Sequence, residues 1–151
     1  MPRRDAKTFL SENQAVTAQA VSTNSISKGI AQAQINTAAH PLFCFVNVTA
    51  TLTDGGSNAG VQIDLVDDSA ANLTTTVAVV QANFMPLIPQ GQVAPKKFGA
   101  MVPTAPSTQL YWGIRYTPVT ANLTGGTFTA WTSNQRELAT YAPPSYVILS
   151  T

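Results

Sequence analysis

The chain has 151 residues, 10% of them charged and 44% apolar, with a formal net charge of +1. A chain of that length forms one domain and buries roughly 68–70% of its unfolded surface without staples. The composition excludes a disordered chain, which pairs low hydrophobicity with high net charge; a disulfide scaffold, since Cys44 is the single cysteine; and a global field that would draw in nucleic acid or anionic membrane.

From the N-terminus, Arg3, Arg4 and Lys7 crowd the start, opposed by Asp5 and followed by Phe9 and Leu10. No apolar stretch of signal-peptide length follows, and no segment approaches the roughly 18 apolar residues of a transmembrane helix, so a cytosolic product is expected. Gln14–Ala39 is rich in Ala, Ser, Thr, Asn and Gln and poor in bulky core residues. Val16, Ala18 and Ala20 alternate with Thr17 and Gln19, which predicts a strand; a helix over Gln14–Val21 is the alternative. Residues 1–40 thus read as an N-terminal arm and first-strand region, and 41–151 as the sandwich core of a single domain.

Period-2 patterning dominates from residue 41. In Pro41–Thr53, Leu42, Cys44, Val46, Val48, Ala50 and Leu52 share one face. Phe43, Phe45, Asn47, Thr49, Thr51 and Thr53 share the other, predicting a strand buried on both faces at its start and on one later. Cys44 reads as a buried, inert thiol with no basic neighbour to activate it. Asp54–Gly60 has turn composition. Val61, Ile63 and Leu65 alternate with Gln62 and Asp64 in a second strand, and Leu73–Phe84 is a third β signal.

Met85–Ser107 carries five prolines, which predicts loops with one short edge strand near Lys97–Val102. Gln109–Thr117 is a strand with Leu110, Trp112, Ile114 and Tyr116 on its core face. Asn122–Gly126 reads as a hairpin loop whose glycines are free to take positive φ. Thr127–Ser133 sets Phe128 and Ala130 opposite Thr129 and Trp131. Ser133–Thr140 looks locally helical, with Asn134 as its cap, and Tyr146–Leu149 is a final strand. Seven to nine short strands at this spacing predict an all-β, jelly-roll-like β-sandwich with an extended N-terminal arm.

Enzyme templates fail. His40 is the one histidine, and no G-x-S-x-G elbow is present. A structural zinc site needs about four Cys or His ligands, twice what the chain holds. Asp64, Asp67 and Asp68 lack the glycine and terminal glutamate of a calcium loop and read as solvated strand-end carboxylates. Gly55-Gly56 and Gly125-Gly126 read as turn punctuation, not a phosphate loop. No catalytic, cofactor or metal site is expected, and the protein is not expected to be an enzyme. A typical soluble domain is about 25% charged; here Thr, Ser, Asn, Gln and Ala take that place. Such a surface loses little on desolvation, which suits an exterior lying against other subunits, or simply a neutral sandwich. Lys96, Lys97 and Arg115 fall in an acid-free stretch between Asp68 and Glu137. Trp131 alternates away from Phe128 toward solvent, the best single sugar platform, so a carbohydrate-binding, lectin-like module is the alternative function.

Phe9–Ile26, FLSENQAVTAQAVSTNSI, resembles the opening of a family of tailed-phage capsid cement, or decoration, proteins. They share a phenylalanine–serine, then glutamine–alanine–valine–threonine, then serine–threonine–asparagine pattern. In that family an aspartate usually follows the isoleucine; Ser27 and Lys28 stand here, so no role of that aspartate carries over. The motif spans about an eighth of the chain. The resemblance implies a jelly-roll subunit bound to the capsid exterior of the virion, assembled in the host cytoplasm. Its partners would be the major capsid protein and itself, as a dimer rather than a trimer, with no nucleic acid and no membrane. The candidate capsid or oligomer contacts are Arg3, Arg4, Lys7, Phe9, Leu10, Lys96 and Lys97.

Overall fold

The computed structural model describes residues 9–29, 42–103, 107–134 and 146–149, which form strands and connecting turns. In chain order the strands are β1 (Phe9–Ala15), β2 (Ala20–Val21), β3 (Ile26–Ser27), β4 (Leu42–Asp54), β5 (Gly60–Asp68), β6 (Ala78–Gln81), β7 (Ile88–Pro89), β8 (Lys96–Met101), β9 (Tyr111–Val119), β10 (Leu123–Asn134) and β11 (Tyr146–Leu149). The long alternating segments become the long strands. β4 pairs antiparallel with β10 and β8, and β5 pairs antiparallel with β9 along its whole length.

Two sheets result. The first has the order β1-β10-β4-β8-β11, antiparallel except that β11 runs parallel to β8. The second has the order β2-β9-β5-β6, with β3 also on β9 and β7 also on β5. Together they make an all-β sandwich. Cys44, Val46, Val48, Phe98, Phe128 and Ala130 from the first sheet meet Val61, Ile63, Leu65, Trp112, Ile114 and Tyr116 from the second in one continuous core. The Tyr116 and Phe128 rings stack across it with centroids 4.8 Å apart. Burial in this core pushes the Cys44 thiol up to about 12, and the Tyr116 phenol is likewise raised by its burial. Tyr116 shares a hydrogen bond with Ser11 of β1, which satisfies two hydroxyls that would be costly to bury alone.

The N-terminal stretch is woven into both sheets. β1 lines β10 at the rim of the first sheet, and β2 and β3 lie in succession along β9 in the second. Gln14 stitches the crossing, donating to Val21 O and accepting from Thr23 N. The first strand therefore starts at Phe9 and ends before Val16, earlier than the alternation of Val16, Ala18 and Ala20 suggested, and no helix forms over Gln14–Val21.

Four further expectations are corrected. Lys96–Met101 is not an edge strand: β11 covers its far side. Gly125 and Gly126 are not in a hairpin loop but within β10, where the register against β4 shifts; a Cβ on Gly126, at φ 141°, would stand 2.6 Å from Leu52 Cδ2. The chain turns instead at Thr120, with φ 73°, just ahead of β10. The Leu73–Phe84 signal shrinks to β6, because Leu73 and Phe84 are buried from loop positions flanking the strand. Ser133 and Asn134 belong to β10, and the remainder of the segment expected to be helical lies outside the described residues. Arg3, Arg4, Lys7 and His40 lie outside them too.

Candidate docking face

The face of the first sheet that points away from the core divides along β4. At one end Phe43 and Phe45 of β4 and Trp131 of β10 form a second buried apolar cluster, with Phe9 and Met101 packed against it. Phe45 and Trp131 stack at 5.6 Å, and Gly99 of β8 leaves the room that Phe45 fills, since a Cβ there would meet its ring at 2.8 Å. Trp131, expected to face solvent, is only 2% exposed. Alternation placed it correctly on the outward side; that side is covered there.

Toward the other end the same face turns polar and uncharged. Thr49 and Thr127 share a hydrogen bond of 2.7 Å across the β4–β10 pair. Thr124 donates to Thr53 at 3.1 Å, Thr51 accepts from Ala94 N at 3.1 Å, and Thr129 accepts from Asn13 N at 2.9 Å. Thr51, Thr53 and Thr124 are exposed. These hydroxyls already satisfy one another or nearby backbone, so covering them leaves few orphaned groups. Between the two ends, Asn47 sits opposite Lys97 of β8 and Thr129 of β10. There Asn47, Pro95, Lys96 and Lys97 line an open cavity of about 340 Å³.

The second sheet presents a different surface. Asp64 is fully buried on its outer side and accepts from Gln62 Nε2, Asn83 N, Thr117 Oγ1 and the Arg115 guanidinium, whose Nη2 stands at 3.0 Å. Burial works against its charge, but those hydrogen bonds prevail and hold the carboxyl below the usual range. Asp68 organises the 69–76 loop by accepting from Ala70 N, Thr75 N, Thr76 N and Thr76 Oγ1. Its burial also opposes ionisation and is also outweighed, leaving the carboxyl far below the usual range. Asp67 accepts from Ser107 Oγ, which in turn accepts from Lys28 Nζ at 2.7 Å. The three aspartates are therefore not solvated strand-end groups; each is buried and hydrogen-bonded. Among the described residues no cluster of three or more His, Cys, Asp or Glu is placed to hold a metal ion.

The sequence-derived contact residues scatter. Lys96 and Lys97 border the outward face of the first sheet, and Phe9 packs on its aromatic end. Leu10 is fully buried in the chain's own core and has no surface left to offer a partner. Asn47 and the threonine row were not singled out, although the alternation had already placed Asn47, Thr49, Thr51 and Thr53 together. A polar outward face carries no chemical motif, so nothing in the pattern set it apart from an ordinary solvated one.

The family model described as Bbp16 matches residues 10–132, which is most of the chain, and the protein belongs to the Bbp16 family. No match was found among curated proteins.

Proposed function

We propose that this protein is a phage capsid cement, or decoration, protein, which binds the outside of the assembled head and stabilises contacts between major capsid subunits. The observation that carries the reading is the uncharged threonine row on the outward face of the first sheet, where Thr49, Thr51, Thr53, Thr124 and Thr127 are already hydrogen-bonded. The Phe9–Ile26 resemblance and a family name that suggests a phage-related protein point the same way. A clamp of this kind binds the shell and not loose subunits, so it stabilises the shell by mass action. Acting as a homo-oligomer, a dimer rather than a trimer, it engages several sites at once, and avidity multiplies modest contacts.

The sugar-binding alternative loses Trp131, the residue on which it stood, because that ring is stacked and buried. The test is a substitution that places charge on the face without touching the core. Thr124→Arg is expected to weaken co-sedimentation with DNA-free shells by roughly tenfold or more, as an unpaired buried charge would, while the melting temperature stays put. Unchanged shell binding would remove this face from the reading.

A further inference from the structure

We infer that β6 is a dimerisation edge, which pairs antiparallel with β6 of a second copy of this chain about a twofold axis at Val79. β6 ends the second sheet: β5 holds one of its sides, and among the described residues no strand pairs with the other. Such an edge presents unpaired N–H and C=O groups to any extended chain, and proteins normally guard it with charge or proline. Neither guard is present here. No residue from Ser69 through Pro95 is charged, and no proline precedes Pro86 in that stretch. Val77 is 39% exposed and Val79 44%. The large apolar side chains exposed among the described residues are these two, Leu87 and Val93, and all four fall within that uncharged stretch.

Those features select the occupant. The edge asks for an extended strand that is uncharged and brings valines of its own, and a second β6 is such a strand. Two identical strands meet antiparallel about a twofold axis, which closes the assembly at two copies and leaves no edge to grow from. Val80 packs against the core, so alternation turns Val77 and Val79 to the outer face of the sheet. Pairing about Val79 sets that residue beside its own copy, and cross-strand pairs of β-branched side chains stabilise a sheet. Uncharged strands meet with no like-charge repulsion. β6 has four residues, so the pair covers less than the roughly 1,200 Å² at which stable interfaces begin. The dimer is therefore weak, dissociating in the micromolar range, and gains its hold by avidity where several copies are anchored together. This deepens the shell-binding reading by giving its homo-oligomer an interface, but the pairing itself needs no shell.

Sedimentation equilibrium of the full chain across the micromolar range tests it. The wild-type protein should fit a monomer–dimer equilibrium. Val79→Lys should weaken dimerisation by roughly tenfold or more, because the twofold axis brings two ammonium groups together, and its melting temperature as monomer should match that of the wild type. Val93→Lys is the control: Val93 is also exposed, but it follows Gln92, whose carbonyl accepts from Leu52 N of β4, away from β6. It should dimerise as the wild type does. A second readout does not depend on the lysine variant folding. Residues opposed in an antiparallel pair stand about 4.5–5.5 Å apart at Cα, within reach of a disulfide, and Cys44 is buried and adds no background. Val79→Cys treated with diamide should therefore cross-link to its own copy, and Val93→Cys should not. A wild-type protein that stays monomeric, a Val79→Lys protein that dimerises undiminished, or cross-linking at position 93 and not at 79 would each overturn the assignment. Co-sedimentation with DNA-free shells separates the two proposals. A dimer that Val79→Lys dissociates, in a protein that ignores shells, keeps the edge and sinks the shell reading. A monomeric wild-type protein that binds shells does the reverse, and loss of that binding in Val79→Lys would give the edge to a strand of the shell instead.

Discussion

At the scale of single residues, burial decides more than identity. Trp131 stacks on Phe45 in the outward cluster, so Trp131→Ala should cost about 3–5 kcal/mol, measured by urea unfolding, as other buried Trp truncations do. A loss near zero would mean the ring is a surface group after all. Cys44 is expected to stay unreactive toward thiol reagents at pH 8 in the folded protein and to react on unfolding, because burial holds it protonated. The carboxylates set the acid limb of stability. Asp64 and Asp68 ionise more readily folded than unfolded. Their contribution is complete above the unfolded carboxylate value, near pH 4, and is lost as pH falls below it toward the folded values. The urea midpoint should thus fall steeply below about pH 4, and Asp68→Asn should flatten that fall. A midpoint that rises on acidification would contradict the hydrogen-bond network. The buried Cys44 was legible in the alternation of its strand, but the carboxylate network was not: Asp64, Asp67 and Asp68 look like a solvent-side cluster until the 69–76 loop, Arg115 and Ser107 close over them.

At the scale of elements, alternation was a faithful guide wherever it ran long. The β4 and β5 strands, Trp112, Ile114 and Tyr116 on the core face of β9, and the final strand Tyr146–Leu149 appear as the pattern predicts, whereas Leu110 stands ahead of β9 and Ala50 on β4 is exposed. It failed where a local signal had two meanings. Glycine pairs mark turns, but Gly125 and Gly126 serve a close approach within β10. Prolines flank β8, suggesting an edge, yet β11 arrives from far along the chain to cover it, and single-sequence patterning carries no information about such distant pairing. Gly60 offers a direct test of a glycine that backbone geometry demands. Its φ is 134°, and a Cβ would sit 2.5 Å from Ile88 O. Gly60→Ala should cost about 1–3 kcal/mol and loosen the β5–β7 pairing, read as faster amide exchange at Ile88. An unchanged unfolding midpoint would show the backbone is not so constrained.

At the scale of the whole molecule, low charge and sandwich architecture were both readable, because composition and period 2 report them directly. The proposed docking face was not, because uncharged hydroxyls on an outward face look the same whether water or a subunit covers them. What distinguishes this face is its paired hydroxyls, its freedom from charge along the threonine row and the Asn47–Lys97 cavity at its centre. The exposed edge of the second sheet, with Val77 and Val79 open to solvent and no charged side chain within β6, suits self-association. Sedimentation velocity of the purified protein at micromolar concentration should accordingly give an oligomer; a monomer throughout would contradict that part of the account. The most direct test of the central claim compares two partners. The wild-type protein is titrated against DNA-free capsid shells and, in parallel, against unassembled major capsid subunits, with pelleting and size exclusion as the respective readouts. Saturable binding to shells with little or none to free subunits is the predicted result. No binding to shells, or equal affinity for free subunits, would contradict it.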